Sequence, residues 1–455
     1  MRIQTFSSDT RLRMTVLYYG LSLALMFCFP WITRAVHDTN LPPLKPWGRL
    51  WINLIFLNLG AAYFAMLRCR SNKPLPKLFW GFFLGLAIAL CALPPVFSGD
   101  LYEYLIRGRI LGVYHQNPYA HPSAEFSQDR FFSHSVWIST PENYGPVWVL
   151  VQWVMPTFFG QSVSWAVFMQ KIMLLIFFAL SGILFFRVAQ KIYPEQSQRL
   201  TRAFVLNPNL WTHHLVDGHN DMVMIFWMLL GVYWLLQEKT FLSLFAAAMG
   251  MLVKFTSGIL LLVLALSFLK SRSVLDWKAK IAFMFKALGL VFLVMVAAYA
   301  PFWIGKDTFR YFVTFKGWFY TNSVPYAVYR LLQRGGIPVT TAQVEKGFMC
   351  FFGANLVAAL VCLWKKTPWT AQGFCRTVVW IFLALYTSYA IPFYGHHLNW
   401  SLPFLILSGF PCSSVVLTLF SMAGIFAYFK RLSFLYLLAW AVYLVILGVR
   451  RCLKK

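Results

Sequence analysis

Lys77-Leu78-Phe79-Trp80-Gly81-Phe82-Phe83-Leu84-Gly85-Leu86-Ala87-Ile88-Ala89-Leu90-Cys91-Ala92-Leu93-Pro94-Pro95-Val96-Phe97 is an apolar run that ends abruptly on Ser98-Gly99-Asp100-Leu101-Tyr102-Glu103-Tyr104-Leu105-Ile106-Arg107-Gly108-Arg109. Roughly 20 apolar residues cross the hydrocarbon of a bilayer, so residues 78–97 read as a membrane span. That span delivers two carboxylates and two arginines to a membrane surface. In so apolar a chain, such a cluster destabilises unless it is wetted or used.

The composition extends this reading to the whole chain. Of its 455 residues 59% are hydrophobic and only 12% are charged, against about 25% charged in soluble domains. The fold class expected is an all-α, polytopic transmembrane bundle. A net charge of +26 would suit a nucleic-acid binder, but the basic residues sit at the ends of apolar runs, where the positive-inside rule puts them. No nucleic-acid partner is expected. The eight cysteines lie mostly in apolar runs or basic loops and outline no disulfide framework. The first run, Met14 to Thr33, lacks a small-residue cleavage site and reads as a span, not a cleaved signal.

Basic loops then set the topology. Arg2, Arg11 and Arg13 place the N-terminus inside. Spans at 14–33 and 49–67 follow, and the loop Arg68 to Lys77 is basic and inner, so span 78–97 brings Asp100 to the outer side. Residues 98–160 form a first outer loop. In it Leu101, Leu105, Gly108 and Leu111 share one helical stripe, and Asp100, Glu103 and Arg107 another. That pattern predicts an amphipathic helix lying in the interface, followed by a second interfacial or re-entrant helix over 147–159. Further spans are expected at 163–187, 203–217 and to about 236. The run 241–270 is long enough for one tilted helix or for two short ones meeting at Lys254, and the basic loop after it favours the two-helix hairpin. Span 281–303 precedes a second outer loop, 304–346, and runs 347–364 and 377–393 lead to two or three final helices. The total is about 12 to 14 crossings in one integral-membrane domain. Of the 14 acids, Asp9, Glu195, Glu238 and Asp276 map inside; the other ten map to the outer side or its edge. Solubility does not require such an asymmetry, whereas a reaction centre on that face would.

Asp100 is the first candidate for chemistry. As Asp-x-x-Glu with Glu103 it could simply cap the interfacial helix. It could equally act as a general base on a hydroxyl, and one carboxylate can do both. Arg107, Arg109, Lys254, Arg310 and Lys316 are cations near the same face. Interfacial arginines commonly snorkel, but Lys254 interrupts almost thirty apolar residues and is a functional candidate by position alone. A phosphate at the membrane surface is its natural partner. His213, His214, Asp217, His219, Asn220 and Asp221, with His396 and His397, invite a divalent-metal reading. A polar substrate pocket is preferred to it, and no cofactor is expected.

Taken in order, Ser98-Gly99-Asp100-Leu101-Tyr102, Gly108, Asn117-Pro118-Tyr119 and Asn143-Tyr144-Gly145-Pro146 resemble the first luminal loop of integral-membrane mannosyltransferases. These belong to the C-type glycosyltransferase superfamily, whose donors are polyprenyl-phosphate sugars. Leu206-Asn207-Pro208, Gly218-His219-Asn220-Asp221 and Leu252-Val253-Lys254-Phe255 resemble later signatures of its bacterial alpha-mannosyltransferase branch. The similarity runs over roughly residues 80–320. It implies an inverting hexosyltransferase in a bacterial inner membrane, its site facing the periplasm or exterior. The donor would be a polyprenyl-phosphate sugar, mannose first, and the acceptor a lipid or glycan. By the same resemblance Asp100 is the catalytic base, and Lys254 holds the donor phosphate. Glu103, Arg107, Tyr144, His219, Asn220, Asp221, Arg310 and Lys316 join it around the substrates. One departure is that two extra spans precede the acid. The competing readings are a lipid-linked-sugar flippase or carrier, a non-catalytic assembly subunit, and a glycan ligase that would use Arg310 and Lys316. Carriers commonly place charges at the midplane in two similar halves; no internal repeat is visible here.

Overall fold

The computed structural model describes residues 7–28, 46–271, 276–309, 323–365, 369–388 and 394–409. Among them every named secondary-structure element is helical, as the composition implies. Among the described residues, four helices are long and apolar enough to cross a membrane: Leu50–Arg68, Val163–Ile192, Trp277–Phe302 and Thr341–Lys365. The protein is an all-α helical membrane protein. Part of the first expected span and the final helices fall at 29–45 and 410–455, outside the described residues.

The chain divides into two compact units, residues 1–311 and 312–455. In the first, α1 (Ser8–Ala24) pairs with α2 (Pro46–Arg68) and precedes α3 (Lys77–Cys91), α4 (Asp100–Gly112), α5 (Pro146–Phe159) and α6 (Val163–Ile192). After α7 (Ser197–Val205) come a short turn at Pro208–Leu210 and a π-helical turn at Trp211–Val216. Then α8 (Asp221–Leu235), α9 (Thr240–Met251), α10 (Ile259–Ser271) and α11 (Trp277–Tyr299) complete the unit. The second unit holds α12 (Val324–Arg334), α13 (Thr341–Lys365), α14 (Ala371–Ser388) and α15 (Leu402–Leu407). Its His396 and His397 are buried in the helical turn Gly395–Trp400, where the Tyr386 hydroxyl donates to the His397 carbonyl at 2.9 Å.

Three expectations are corrected here. The span 78–97 is helical only to Cys91, because Pro94-Pro95 cannot extend it. The span 203–217 is broken rather than continuous. Pro208 removes a helical N–H, and Asn207 turns its side chain to accept from the Asn209 N–H at 3.0 Å. The α4 helix is present, but its polar side does not face water, since Glu103 and Arg107 are as buried as Leu101 and Leu105. By contrast, the split of 241–270 into two helices at Lys254 matches the expectation.

Lipid is as apolar as a leucine side chain, so helices associate in it by close packing and internal hydrogen bonds. Trp211 illustrates the first: its ring meets Phe83 and Phe178 edge-on at 5.9 and 6.2 Å, each such pair contributing about 0.5–1.5 kcal/mol. The two extra N-terminal helices supply the second. Tyr63 on α2 accepts from Asn207 Nδ2 at 3.2 Å and donates to the Ala203 carbonyl. The helix break at Asn207 is thereby tied to α2.

Candidate active site

The non-helical segment after α3 forms a platform for Asp100. Lys171, fully buried in α6, donates to the Leu93 carbonyl at 2.7 Å and to the Val216 carbonyl. Asp217 Oδ1 accepts from the backbone N–H groups of Val96 at 3.1 Å and Phe97 at 2.8 Å. One cation and one carboxylate thus replace the missing helical partners of this segment, as buried backbone requires. Lys171 was not among the expected site residues. A charge well inside an apolar helix, far from the Arg187 and Lys191 at its basic end, was its signal.

Gly99, not Asp100, is the N-cap of α4, and no side chain caps the helix. The Asp100 carboxylate is therefore not occupied in capping. Its Oδ1 accepts from the Trp137 indole N–H at 3.0 Å, and its Oδ2 lies 3.6 Å from His219 Nδ1. The Asp100 side chain is 22% exposed, against 4% for His219. Burial pushes the His219 imidazole down, and the charges of Asp100 and Asp217 only partly offset this. A fixed carboxylate with one oxygen held by an indole and the other reachable suits a general base. Trp137 lies in an irregular loop, and nothing local in the sequence marked it.

Glu103 and Arg107 sit in a buried hydrogen-bond network. All five guanidinium donors of Arg107 are engaged. Nε donates to Glu103 at 2.9 Å, Nη1 to Glu142 and Asn143 at 3.4 and 3.1 Å, and Nη2 to the Thr140 carbonyl and hydroxyl at 3.1 and 3.2 Å. Glu103 in turn accepts from Ser123 at 2.7 Å, from Ser135, and from the Trp137 N–H at 3.2 Å. Burial alone would raise the Glu103 carboxyl, but Arg107 and the two hydroxyls outweigh it and hold it below the ordinary range. The pair fastens the loop 123–143 over α4 and so positions Trp137. Arg109 does the same further on, donating to Asp129 at 2.7 Å.

The second half of the site joins three separated motifs. The Gly145 and Val147 N–H groups donate to the Val253 and Leu252 carbonyls at 3.3 and 3.1 Å. A Cβ on Gly145 would collide with the Leu252 carbonyl, so only glycine permits this approach. It sets the Tyr144 ring under Lys254, with Nζ 5.4 Å from the ring centroid. Lys254 also pairs with the buried Asp221 at 2.6 Å. Gly218, at φ +78°, turns the chain so that His219-Asn220-Asp221 meets α4, where its Cα faces Leu101. The Tyr104 and Tyr144 hydroxyls lie 3.3 Å apart. Burial raises Tyr104, followed by the charges of Tyr144, Asp100 and Asp221, so both acids act on this one phenol. Asn220 is fully buried, and neither end of its amide has a protein partner among the described residues.

Of the expected residues, Asp100, Tyr144, His219, Asn220, Asp221 and Lys254 come together, while Glu103 and Arg107 lie beneath them as scaffold. Arg310 and Lys316 lie outside the described residues. His213 faces Asp217 at 3.6 Å, and its ring lies 5.8 Å from that of His219.

Residues 44–270 match the family model described as alpha-(1->6)-mannopyranosyltransferase, N-terminal domain. The chain is 27% identical over 233 residues to alpha-(1->6)-mannopyranosyltransferase A of Mycobacterium tuberculosis, covering 50% of this chain and 43% of that protein. It is 28% identical over 189 residues to a probable alpha-(1->6)-mannopyranosyltransferase of Mycolicibacterium smegmatis, covering 40% and 32% respectively. The chain thus spans less than half the length of these relatives. No solved structure matches. The resemblance carried by the motifs holds over the stretch that contains all six converging residues.

Proposed function

We propose, from the match of residues 44–270 to the alpha-(1->6)-mannopyranosyltransferase N-terminal domain, that this protein is an integral-membrane glycosyltransferase. It moves a mannosyl group from a polyprenyl-phosphate donor to a hydroxyl of a lipid or glycan acceptor. The observation that carries this reading is a reachable carboxylate, Asp100, held by Trp137 in the same motif cluster as the Lys254–Asp221 pair.

In the proposed reaction Asp100 removes the proton of the acceptor hydroxyl as that oxygen attacks the anomeric carbon. The bond from that carbon to the phosphate oxygen breaks with inversion, and the polyprenyl phosphate leaves with the electron pair. Lys254, already oriented by Asp221 and the Tyr144 face, receives the growing phosphate charge without reorganising. The unpartnered Asn220 amide hydrogen-bonds hydroxyls of the transferred sugar. Glu103 and Arg107 act through the loop they hold. The basic 68–77 loop orients the chain with its α3 start in the cytoplasm, so the site faces the outside of a bacterial cytoplasmic membrane.

Transfer by the purified protein in detergent tests the assignment. Radiolabelled polyprenyl-phosphate mannose should yield mannosylated acceptor, and a nucleotide-sugar donor should not. A protein that only translocates lipid-linked sugar forms no product without two compartments, so absence of product with competent donor and acceptor overturns the enzyme reading.

A further inference from the structure

At the other end of α3 from Asp100 the first unit carries a concave, charged feature. A cavity of about 410 Å³ opens there, lined by Arg70, Asn72, Glu195, Gln196 and Arg199. With 1.5 Å of rise per residue, the 15 residues of α3 separate it from the candidate active site by roughly 22 Å. Nothing in the proposed transfer uses it.

The cavity is built rather than incidental. The Arg199 N–H donates to Asn72 Oδ1 at 3.1 Å, and Arg199 Nη2 donates to the Leu67 carbonyl at 3.0 Å. Arg202 donates to the Lys73 carbonyl at 2.8 Å and to the Ser71 carbonyl. These bonds lock the 69–77 loop against the start of α7. Arg199 Nε is buried without a protein partner among the described residues, and Arg70 is exposed. The nearby acid Asp9 is already engaged by Lys73 and Ser71. Two guanidiniums against the one carboxylate of Glu195 leave the lining net positive. Its donors match a phosphate, the anion that guanidinium forks recognise best.

Position selects the source of that phosphate. The loop joins the end of one apolar helix, Arg68, to the start of another, Lys77. Beside it Leu78 is 82% exposed and Phe64 is 39% exposed, with the Arg68 guanidinium 5.2 Å from the Phe64 ring. A headgroup in the cavity therefore has uncovered apolar surface next to it for its acyl chains. We propose that this cavity binds the phosphate headgroup of an anionic glycerophospholipid. Glu195 then accepts from headgroup hydroxyls, and the lipid braces the α2–α3 loop against α7.

Native mass spectrometry of the detergent-purified full chain tests this. The probes are phosphatidylglycerol and phosphatidylcholine, with inorganic phosphate as competitor. Phosphatidylglycerol should bind about tenfold more tightly than phosphatidylcholine. Arg70→Gln, which removes an exposed side chain, should weaken phosphatidylglycerol binding by about tenfold, the loss expected for one charge-assisted contact. Arg334→Gln, a surface control in the second unit, should leave it unchanged. Equal binding of the two lipids overturns the proposal, as does undiminished binding in Arg70→Gln. Displacement of the lipid by inorganic phosphate at equal concentration overturns the lipid assignment in favour of a free-phosphate site.

Discussion

Lys254 and Asp221 can be separated into structural and chemical parts by a double-mutant cycle. The pair is 2.6 Å apart, with 13% of the lysine side chain and none of the aspartate exposed. Lys254→Met leaves the Asp221 carboxylate buried without its strongest partner, a loss of about 3–5 kcal/mol when one member of a buried pair is removed. Asp221→Asn on its own strands the lysine less severely, because Lys254 can still reach solvent. The double variant Lys254→Met with Asp221→Asn removes both charges, and replacing a buried pair by neutral groups is often close to neutral for stability. Thermal unfolding should accordingly show Lys254→Met as the least stable and the double variant back within about 1 kcal/mol of the parent. Transfer should follow another order. Without a cation at the leaving phosphate the double variant should stay at least about tenfold slow, since a charged hydrogen bond contributes roughly 1.5–3 kcal/mol. A double variant that is stable and also fully active would remove Lys254 from the phosphate site.

Three further outcomes follow from the scaffold. Arg107→Met should destabilise the protein by about 3–5 kcal/mol, because Glu103 and Glu142 would remain buried without their guanidinium; normal unfolding of that variant contradicts the loop-anchoring role. The Glu103 carboxyl is held below its ordinary 4.5, so the unfolded chain binds more protons in that window and stability must fall as pH falls. Its contribution is complete above about pH 4.5 and is lost as acidification passes the lower folded value. Melting followed from neutral pH downward should show the loss in the parent and a smaller one in Glu103→Gln. Gly145→Ala should push the Tyr144 loop off the Leu252 carbonyl and lower turnover with little effect on other helices; unchanged kinetics would show that this approach is not needed.

Much of the fold was legible because hydrophobic runs and basic loops are local signals. The break at Lys254 could be read for the same reason: a charge amid thirty apolar residues has few places to go. What could not be read depends on partners distant in sequence. The early end of α3 is stabilised by Lys171 and Asp217, which lie 78 and about 120 residues beyond the groups they bond. The shared stripe of Glu103 and Arg107 was legible, yet not their burial, because the covering loop supplies Thr140, Glu142 and Asn143 from more than thirty residues away. Trp137 reaches Asp100 only after that loop has closed. Asp100 itself stood out by charge and position, and the structure removed the capping role that competed with its use as a base.

The central claim is that Asp100 is the base in sugar transfer. Its most direct test is the single-turnover rate of Asp100→Asn with polyprenyl-phosphate mannose and acceptor, alongside Asp100→Glu. Asparagine preserves the acceptor for the Trp137 N–H, so melting should be unchanged while transfer falls by at least about a hundredfold, the lower range for general base catalysis. Asp100→Glu should retain measurable transfer whose rate still depends on pH. Transfer by Asp100→Asn at the parental rate would contradict the account.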